Sequence, residues 1–461
     1  MSRVVREVPD FEAEVPLLVV GAGAAGLIAA LCARDRGVEV LVLERDPVPR
    51  GSTALSAGLV PAAGTHWQRE AGVDDSPERF AADILAKADD EPDADAVAAA
   101  SATVGPVLEW LACRHGLPFG LVTDFRYPGH SALRMHGLPS RSGEELIDRL
   151  RGAAEAAGVD LLPEAHVTAL FADGDDRVAG VEIARPDGSV ERIGCTALVL
   201  ACNGYGGHRD LVRRHVPELA DGLYFGHPGN QGDAVIWGEA LGAATRHLSG
   251  HQGHGSVAHP HGILITWAVI MEGGFQVNLE GRRFSDESEG YSEAAARVLA
   301  QPQGLVFDVF DARIAGIARG FEDFRRAEAA GAVMVADTPE ALAARLGLPV
   351  EPFTASFREI EGLKRSGGTD TFGRSFAGVP PLSASFHAVK VTGALFHTQG
   401  GLVVDGRARV LRPDGTALPN LFAAGGAACG VSGNRASGYL SGNGLLTAFA
   451  YGALAGRAAL A

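Results

Sequence analysis

Gly21, Gly23 and Gly26 stand in the spacing Gly-x-Gly-x-x-Gly directly after an apolar run at 17–20, and Glu44 closes a second apolar run, Val40–Leu43. Each of these residue types has a task at a bound dinucleotide. Gly21 allows a tight turn, Gly23 lets the backbone approach a pyrophosphate, and Gly26 lets a helix pack closely on a strand. Ala24 and Ala25 fall at the start of that helix, where N–H groups and the positive end of the dipole face phosphate oxygens. Glu44, with Arg45 behind it, sits where a carboxylate accepts hydrogen bonds from a ribose diol. Glycines at this spacing also serve plain turns. Here strand, glycines, helix, second strand and acid occur in the order that a dinucleotide site needs.

Further small-residue stretches suit a backbone that lines a large flat ligand. Residues 51–58 include Ser52, Thr53, Ser56, Ala57 and Gly58. An apolar strand at 197–201, ending in Ala201, runs into Cys202, Asn203 and Gly204; another at 421–424 runs into Gly425 and Gly426. Gly442 and Gly444 open an apolar helix that reaches Ala459, with Leu445 and Leu446 in its first turn. Its N-terminus is a second place for N–H groups to face a ligand. Histidines gather at His247, His251, His254, His259 and His261. Their spacing matches no standard zinc site and no cysteine lies near, so they read as a loop of exposed or pocket-lining side chains, and no metal is expected. Tyr127, in a Tyr-Pro-Gly sequence, is either a packed ring in a turn or a hydroxyl that assists catalysis. The five cysteines are scattered without a CxxC pair, as reduced thiols of a cytosolic protein would be.

The elements that must position these residues alternate between strand and helix. Helical spacing covers 76–114, starts again at Ser142 and recurs at Pro339–Leu346; strands are expected at 159–162, 167–172 and Val178–Ala184, with Pro186-Asp187-Gly188 as a hairpin turn. Near His227 the pattern becomes less regular and stays so to about Pro381, as in an inserted domain. A chain of 461 residues is long enough for two domains. The formal charge of −16, with no basic run, argues against a nucleic-acid or anionic-membrane partner. Residues 1–14 are polar, so no signal peptide is expected, and no segment is expected to reach transmembrane length.

In order and spacing, these blocks resemble the fumarate reductase and succinate dehydrogenase flavoprotein superfamily, which also holds the 3-ketosteroid dehydrogenases, over nearly the whole chain. The matching blocks are 21–26 with Glu44, 52–58, 198–207, 228–234, 276–284 with Glu287, 396–401, 424–426 and 442–456. The resemblance implies an α/β fold: a discontinuous Rossmann-like FAD-binding domain, 1–230 and 381–461, with an inserted α+β cap, 231–380, and the active site between cap and FAD. It adds Val167, Asn230 and Asp233 to the FAD-binding residues named above. In quinone-linked members a histidine in the segment matching 52–58 bonds covalently to flavin. None stands here, so non-covalent FAD is expected.

Fumarate reductases carry a proton-delivering arginine shortly after the Asn-x-x-Gly-x-Arg-Phe block. Here that block ends at Phe284, and the matching position is Tyr291. Arginine is almost always protonated; tyrosine is normally neutral, with a pKa near ~10. Ketosteroid dehydrogenases resemble this chain in using a cap tyrosine to take an α-proton. Tyr439 and Gly444 resemble the tyrosine and glycine that hold a ketone in those enzymes, with one residue more between them. Two donors on a carbonyl oxygen stabilise a developing enolate, Tyr291 removes the α-proton, and the β-hydrogen leaves as hydride to flavin N5. His397 matches a histidine that binds a substrate carboxylate in fumarate reductases, and Arg435 stands near that family's second carboxylate-binding arginine. The alternatives are a backbone or flavin contact for His397 and a surface ion pair for Arg435. The expected function is FAD-dependent α,β-desaturation of a ketone, whether cyclic, steroid-like or an oxo-acid, with a quinone, a carrier or O2 as electron acceptor. The alternatives are an enoate reductase or di- or tricarboxylate dehydrogenase of the fumarate reductase type, and a non-catalytic flavin-binding protein.

Overall fold

The strand Val190–Leu200 organises the first of two structural units in the computed structural model, which describes residues 3–124 and 126–460. Phe125, beside the Tyr127 turn, and both chain ends lie outside the described residues. The first half of the strand pairs antiparallel with Val178–Ala184, Ile193 opposite Val181. Its second half runs parallel between Ala13–Val20 and Ala417–Ala423, with Leu198 beside Leu18 and Leu421. Leu198, Val199 and Leu200 are fully buried, and such unbroken apolar runs suit parallel strands covered on both faces. Val40–Leu43 and Asp160–Leu162 continue the parallel side, and nine strands complete the sheet. Helix Ala24–Arg34 packs on the closing helix Asn443–Ala458. The helix Asp233–Ala240, with Trp237 buried, belongs to this unit, which takes in the described residues of Met1–Val216, Gly226–His251 and His397–Ala461.

The second unit comprises Pro217–Phe225 and Gln252–Phe396. Its seven-stranded sheet centres on Phe386–Thr398, which pairs antiparallel with Leu305–Asp311 (Val389 opposite Asp308) and neighbours His251–Ala258. The core is aromatic: Phe275, Phe307, Phe310, Phe353 and Phe386 are buried together.

Several local expectations change. The histidine-rich stretch divides: His251 and His254 lie buried on the strand His251–Ala258, His247 is half-buried before it, and His259 and His261 are exposed in the turn beyond it. The helical stretch at 76–114 is two helices, Pro77–Lys87 and Ala94–His115, separated where Asp89 and Asp90 take positive φ and Asp93 caps the second helix. The closing helix starts at Asn443 rather than Gly444, after Gly442 in the left-handed conformation at φ +89°. One helix, Ala94–His115, does reach the length and apolarity of a membrane span, contrary to expectation; half of its apolar window is buried inside the protein, where it packs on the closing helix and on Pro77–Lys87.

Candidate functional site

The first unit holds a cradle built from the glycine turn. Gly21 takes φ +105°, and a Cβ there would stand 2.5 Å from the Ala201 carbonyl oxygen. A Cβ on Gly26 would meet the Gly21 carbonyl at 1.9 Å, so strand and helix touch through backbone alone. Gly23 differs: a Cβ there would meet only Thr53 Oγ1, at 3.6 Å, leaving an open face at the helix N-terminus. Neither helix Ala24–Arg34 nor helix Asn443–Ala458 has an acid of its own in its first turn to oppose an anion at its N-terminal dipole end. Glu44 accepts hydrogen bonds from the Ala22 and Asp46 N–H groups at 2.9 and 3.0 Å, and Thr53 Oγ1 accepts the Ala24 N–H at 3.1 Å. Ser52 Oγ accepts from Asn230 Nδ2 at 2.9 Å and from the His227 N–H at 3.2 Å, while Arg45 donates to the Gly229 carbonyl. Ser56 Oγ accepts the Gly58 N–H at 3.1 Å, which shapes the turn that contains Ala57. These bonds bring Arg45, Ser52 and Asn230 to the Glu44 side of the turn. Asp233 opens its helix, and Gly204 and Gly425 lie in the turns that follow the strands ending at Leu200 and Ala423. Val167 is buried in its strand, and Leu446 is buried in the first turn of the closing helix with Leu445 half-buried beside it. An open glycine face, two helix N-termini without an acid in their first turns and a carboxylate at the second strand fit a dinucleotide such as FAD.

A second cluster in the same unit gathers Tyr439, Gly444 and His397. A Cβ on Gly444 would stand 3.8 Å from the Tyr439 hydroxyl and 3.9 Å from His397 Nδ1, so both side chains reach the first turn of the closing helix. Gln399 Nε2 donates to His397 Nδ1 at 2.8 Å. Burial holds the His397 imidazole neutral, its pKa pushed down to about 4. The cluster therefore offers uncharged groups only. Arg435 is elsewhere: its side chain is 64% exposed and pairs with Glu91 at 3.1 Å and Asp89 at 3.4 Å. Tyr127 lies half-buried against Leu59, Val122 and Met135, and burial raises its phenol to about 12.

In the second unit Tyr291 heads the helix Tyr291–Leu299 after Gly290 at φ +142°. Its ring stacks on His254, with centroids 4.8 Å apart and planes 20° apart, and His254 also stacks on Phe396 at 5.2 Å. Burial alone lowers the His254 pKa to about 3, and the Ser256 N–H donates to its Nδ1 at 3.1 Å, which leaves the ring proton on Nε2. Two glycines set this arrangement. A Cβ on Gly253 would meet Ala295 Cβ at 2.5 Å, and one on Gly255 would meet Ala294 Cβ at 2.6 Å. The strand can lie against the Tyr291 helix only without those carbons.

The nearby arginines are committed to carboxylates. Glu287 accepts from Gln276 N at 2.9 Å, from Arg374 Nη1 at 2.9 Å and from Arg283, which also pairs with Asp370. Burial raises the Glu287 pKa, but Arg374 and Arg283 outweigh it and hold the acid below its ordinary range. Arg297 pairs with Glu289. Behind His254, Asp308 is buried; burial raises its carboxyl to about 7, against hydrogen bonds from Ser256 and Gln276.

Sequence reasoning missed Gln399, Ser432 and Asn443, which contact His397 directly or through one another, and the stacking role of His254. Among the described residues no group of three or more His, Cys, Asp and Glu could hold a metal ion. Burial raises the thiols of Cys202 and Cys429 to about 12.

Comparison with known proteins agrees with the cradle. The family described as FAD binding domain matches residues 17–445. A probable fumarate reductase, Ifc3, of Shewanella frigidimarina (strain NCIMB 400) is 30% identical, over 95% of this chain and 74% of that protein. The 4-oxocyclohexanecarboxylate 2-dehydrogenase of Sinomonas cyclohexanicum is 27% identical, over 89% of this chain and 87% of that protein. Among solved structures, the open conformation of a flavocytochrome c3 fumarate reductase superposes with a TM-score of 0.83 at 29% identity, covering 97% of this chain and 78% of that one. The 3-ketosteroid-Δ4-(5α)-dehydrogenase of Rhodococcus jostii RHA1 shares the fold, with a TM-score of 0.77 at 23% identity and 99% of both chains covered. The chain belongs to the FAD-binding family of fumarate reductase-like flavoproteins and is an FAD-dependent oxidoreductase.

Proposed function

We propose that this oxidoreductase desaturates the α,β C–C bond of a ketone. The observation that carries the reading is the uncharged cluster of Tyr439, Gly444 and neutral His397. A second carboxylate on a substrate calls for a cation, and the one arginine suggested for that role, Arg435, is exposed and paired. A ketone oxygen calls for neutral donors, which Tyr439 O–H and the Gly444 N–H supply; donors of this kind are each worth roughly 2.7–4 kcal/mol in other enzymes. Tyr291 takes the α-proton as a tunable base, with no competing arginine left uncommitted among Arg283, Arg297 and Arg374. FAD, held by Glu44, Ser52, Thr53, Asn230 and the two helix N-termini, supplies the two-electron acceptor for the β-hydrogen. The activity named for the Sinomonas relative, on a ring that bears both a ketone and a carboxylate, supports a cyclic ketone or oxo-acid substrate. The unpaired cysteines support a reducing, cytoplasmic setting.

The names of the fumarate reductase relatives favour a second reading, the reduction of an enoate by a reduced carrier. Anaerobic mixing separates the two. With cyclic ketones and oxo-acids the flavin is expected to bleach. Re-oxidation of pre-reduced enzyme by fumarate or another enoate, with no bleaching by any saturated ketone, would overturn the desaturase reading.

A further inference from the structure

Three polar side chains from separate segments meet behind His397. Asn443 Nδ2 donates to Ser432 Oγ at 2.9 Å, Ser432 Oγ donates to Gln399 Oε1 at 3.1 Å, and Gln399 Nε2 donates to His397 Nδ1 at 2.8 Å. Asn443 is 0% exposed, Ser432 1% and Gln399 3%. Buried polar groups are tolerated when paired, and here each link is paired to the next.

The chain has a direction, and one leftover atom fixes it. Asn443 Oδ1 is buried without a hydrogen-bond partner among the described residues. Run the other way, the chain would start with His397 donating from Nδ1 to Gln399 Oε1 and end with Ser432 donating to Asn443 Oδ1. It would then strand the N–H groups of Asn443 instead of one carbonyl oxygen. Orphaned buried N–H groups are rarer than under-satisfied carbonyls, so the observed direction is the favoured one. Gly426 keeps the far edge of the imidazole clear: a Cβ there would stand 2.7 Å from His397 Nε2 and 2.1 Å from Asn203 Oδ1.

We propose that Gln399, Ser432 and Asn443 are positioning residues that hold His397 in the tautomer with its proton on Nε2, so that the first unit presents a substrate oxygen with a permanent neutral donor alongside the Tyr439 hydroxyl. Among the described residues the groups placed around His397 are uncharged: Gln399, Tyr439 and the backbone at Gly426 and Gly444. A neutral N–H donates to an acceptor oxygen without demanding a counter-charge. The inference deepens the desaturase reading by naming what His397 does there.

The tautomer is read without any ketone, so a failed desaturation assay and a failed tautomer assay are separate results. FAD-loaded protein with 15N-labelled histidine is studied by long-range 1H–15N NMR, with His397 assigned by comparison with His397→Gln. In the native protein Nδ1 is expected to lack a proton and Nε2 to carry one, unchanged from about pH 5.5 to about pH 8. Gln399→Glu replaces the donor with an acceptor, so the proton moves to Nδ1 and the ring titrates at higher pH. Ser432→Ala breaks the chain one link back and is expected to give a mixture of tautomers. Should Gln399→Glu fail to fold, Gln399→Met removes the donor at similar length and is expected to give the same mixture. A native His397 protonated on Nδ1, or a folded Gln399 variant with the native pattern, would overturn the proposal.

Discussion

Tyr439 and Tyr291 each stand with a histidine that burial keeps neutral, yet the two pairs are held by different forces. In the first unit His397 is fixed by directional hydrogen bonds that run through Gln399, Ser432 and Asn443. In the second unit His254 takes one backbone hydrogen bond, from the Ser256 N–H, and its ring is held by contacts with Tyr291, Phe396 and, edge-on at 5.7 Å, Trp267. Hydrogen bonds decide which atom carries a proton; stacking decides where a ring lies and leaves the phenol oxygen to be aimed by its helix. The surroundings differ in the same sense. The first cluster contains no charge, while the Tyr291 region rests on a buried lattice of Arg283, Arg374, Glu287 and Asp370. One arrangement suits binding and polarising an oxygen, and the other suits moving a proton from a ring held in place.

That contrast breaks first at Tyr291. Tyr291→Phe keeps the stack on His254 and removes the oxygen, so flavin reduction by ketone should slow by roughly 10²–10⁴-fold, as for a lost general base, with flavin content unchanged. Stopped-flow absorbance at the flavin band checks it; an unaltered rate would move the proton-transfer group elsewhere. Glu287→Gln tests the lattice. It leaves Arg283 and Arg374 short of a carboxylate in a buried place and should destabilise the protein by about 3–5 kcal/mol, read by urea unfolding. A neutral result would show that the second unit does not depend on fixed charge.

Tyr439→Phe should slow reduction by roughly 10²–10³-fold and weaken ketone binding, since it removes one of two donors to the oxygen. An effect larger than that of Tyr291→Phe would exchange the roles of the two tyrosines. The smallest effect is a slope. His254 has an ordinary pKa of 6.5 and a folded value of about 3, so its contribution to stability is present above pH 6.5 and is lost as pH falls toward 3. His254→Phe keeps a ring in the stack, and its stability should fall less steeply below pH 6.5, by up to about 1.4 kcal/mol per pH unit. The unpaired Ser256 N–H it creates lowers stability equally at every pH and leaves the slope untouched. Asp308 has the opposite sign: with its carboxyl raised to about 7, the stability it contributes is full below 3.8 and is lost as pH rises through about 7.

The dinucleotide cradle was legible in the sequence because its parts are local: three glycines, two short strands and Glu44 fall within one stretch. Tyr291, Tyr439 and His397 were singled out through resemblance, and that reading needed no distances. The chain behind His397 was not legible, because Gln399, Ser432 and Asn443 come from three segments and Ser432 carries no signal of its own. Asn443, a polar residue opening an apolar helix, is the one hint in the sequence. The strand that carries His251 and His254 reads as loop in the sequence because glycines alternate with polar residues there. Strand propensity is low for such a run, and the reason for the glycines, the helix behind them, is tertiary.

Gly253 and Gly255 also determine how this protein can change over generations. A single added carbon at either would press on Ala295 or Ala294 and shift the helix that Tyr291 heads. Displacements of about 1 Å are enough to lower rates on the order of 10²-fold when they misalign reacting groups. Every reacting residue would survive such a change, and so would the flavin's colour. On the desaturase reading, the mutational fragility of the reaction is therefore carried in part by two residues without side chains.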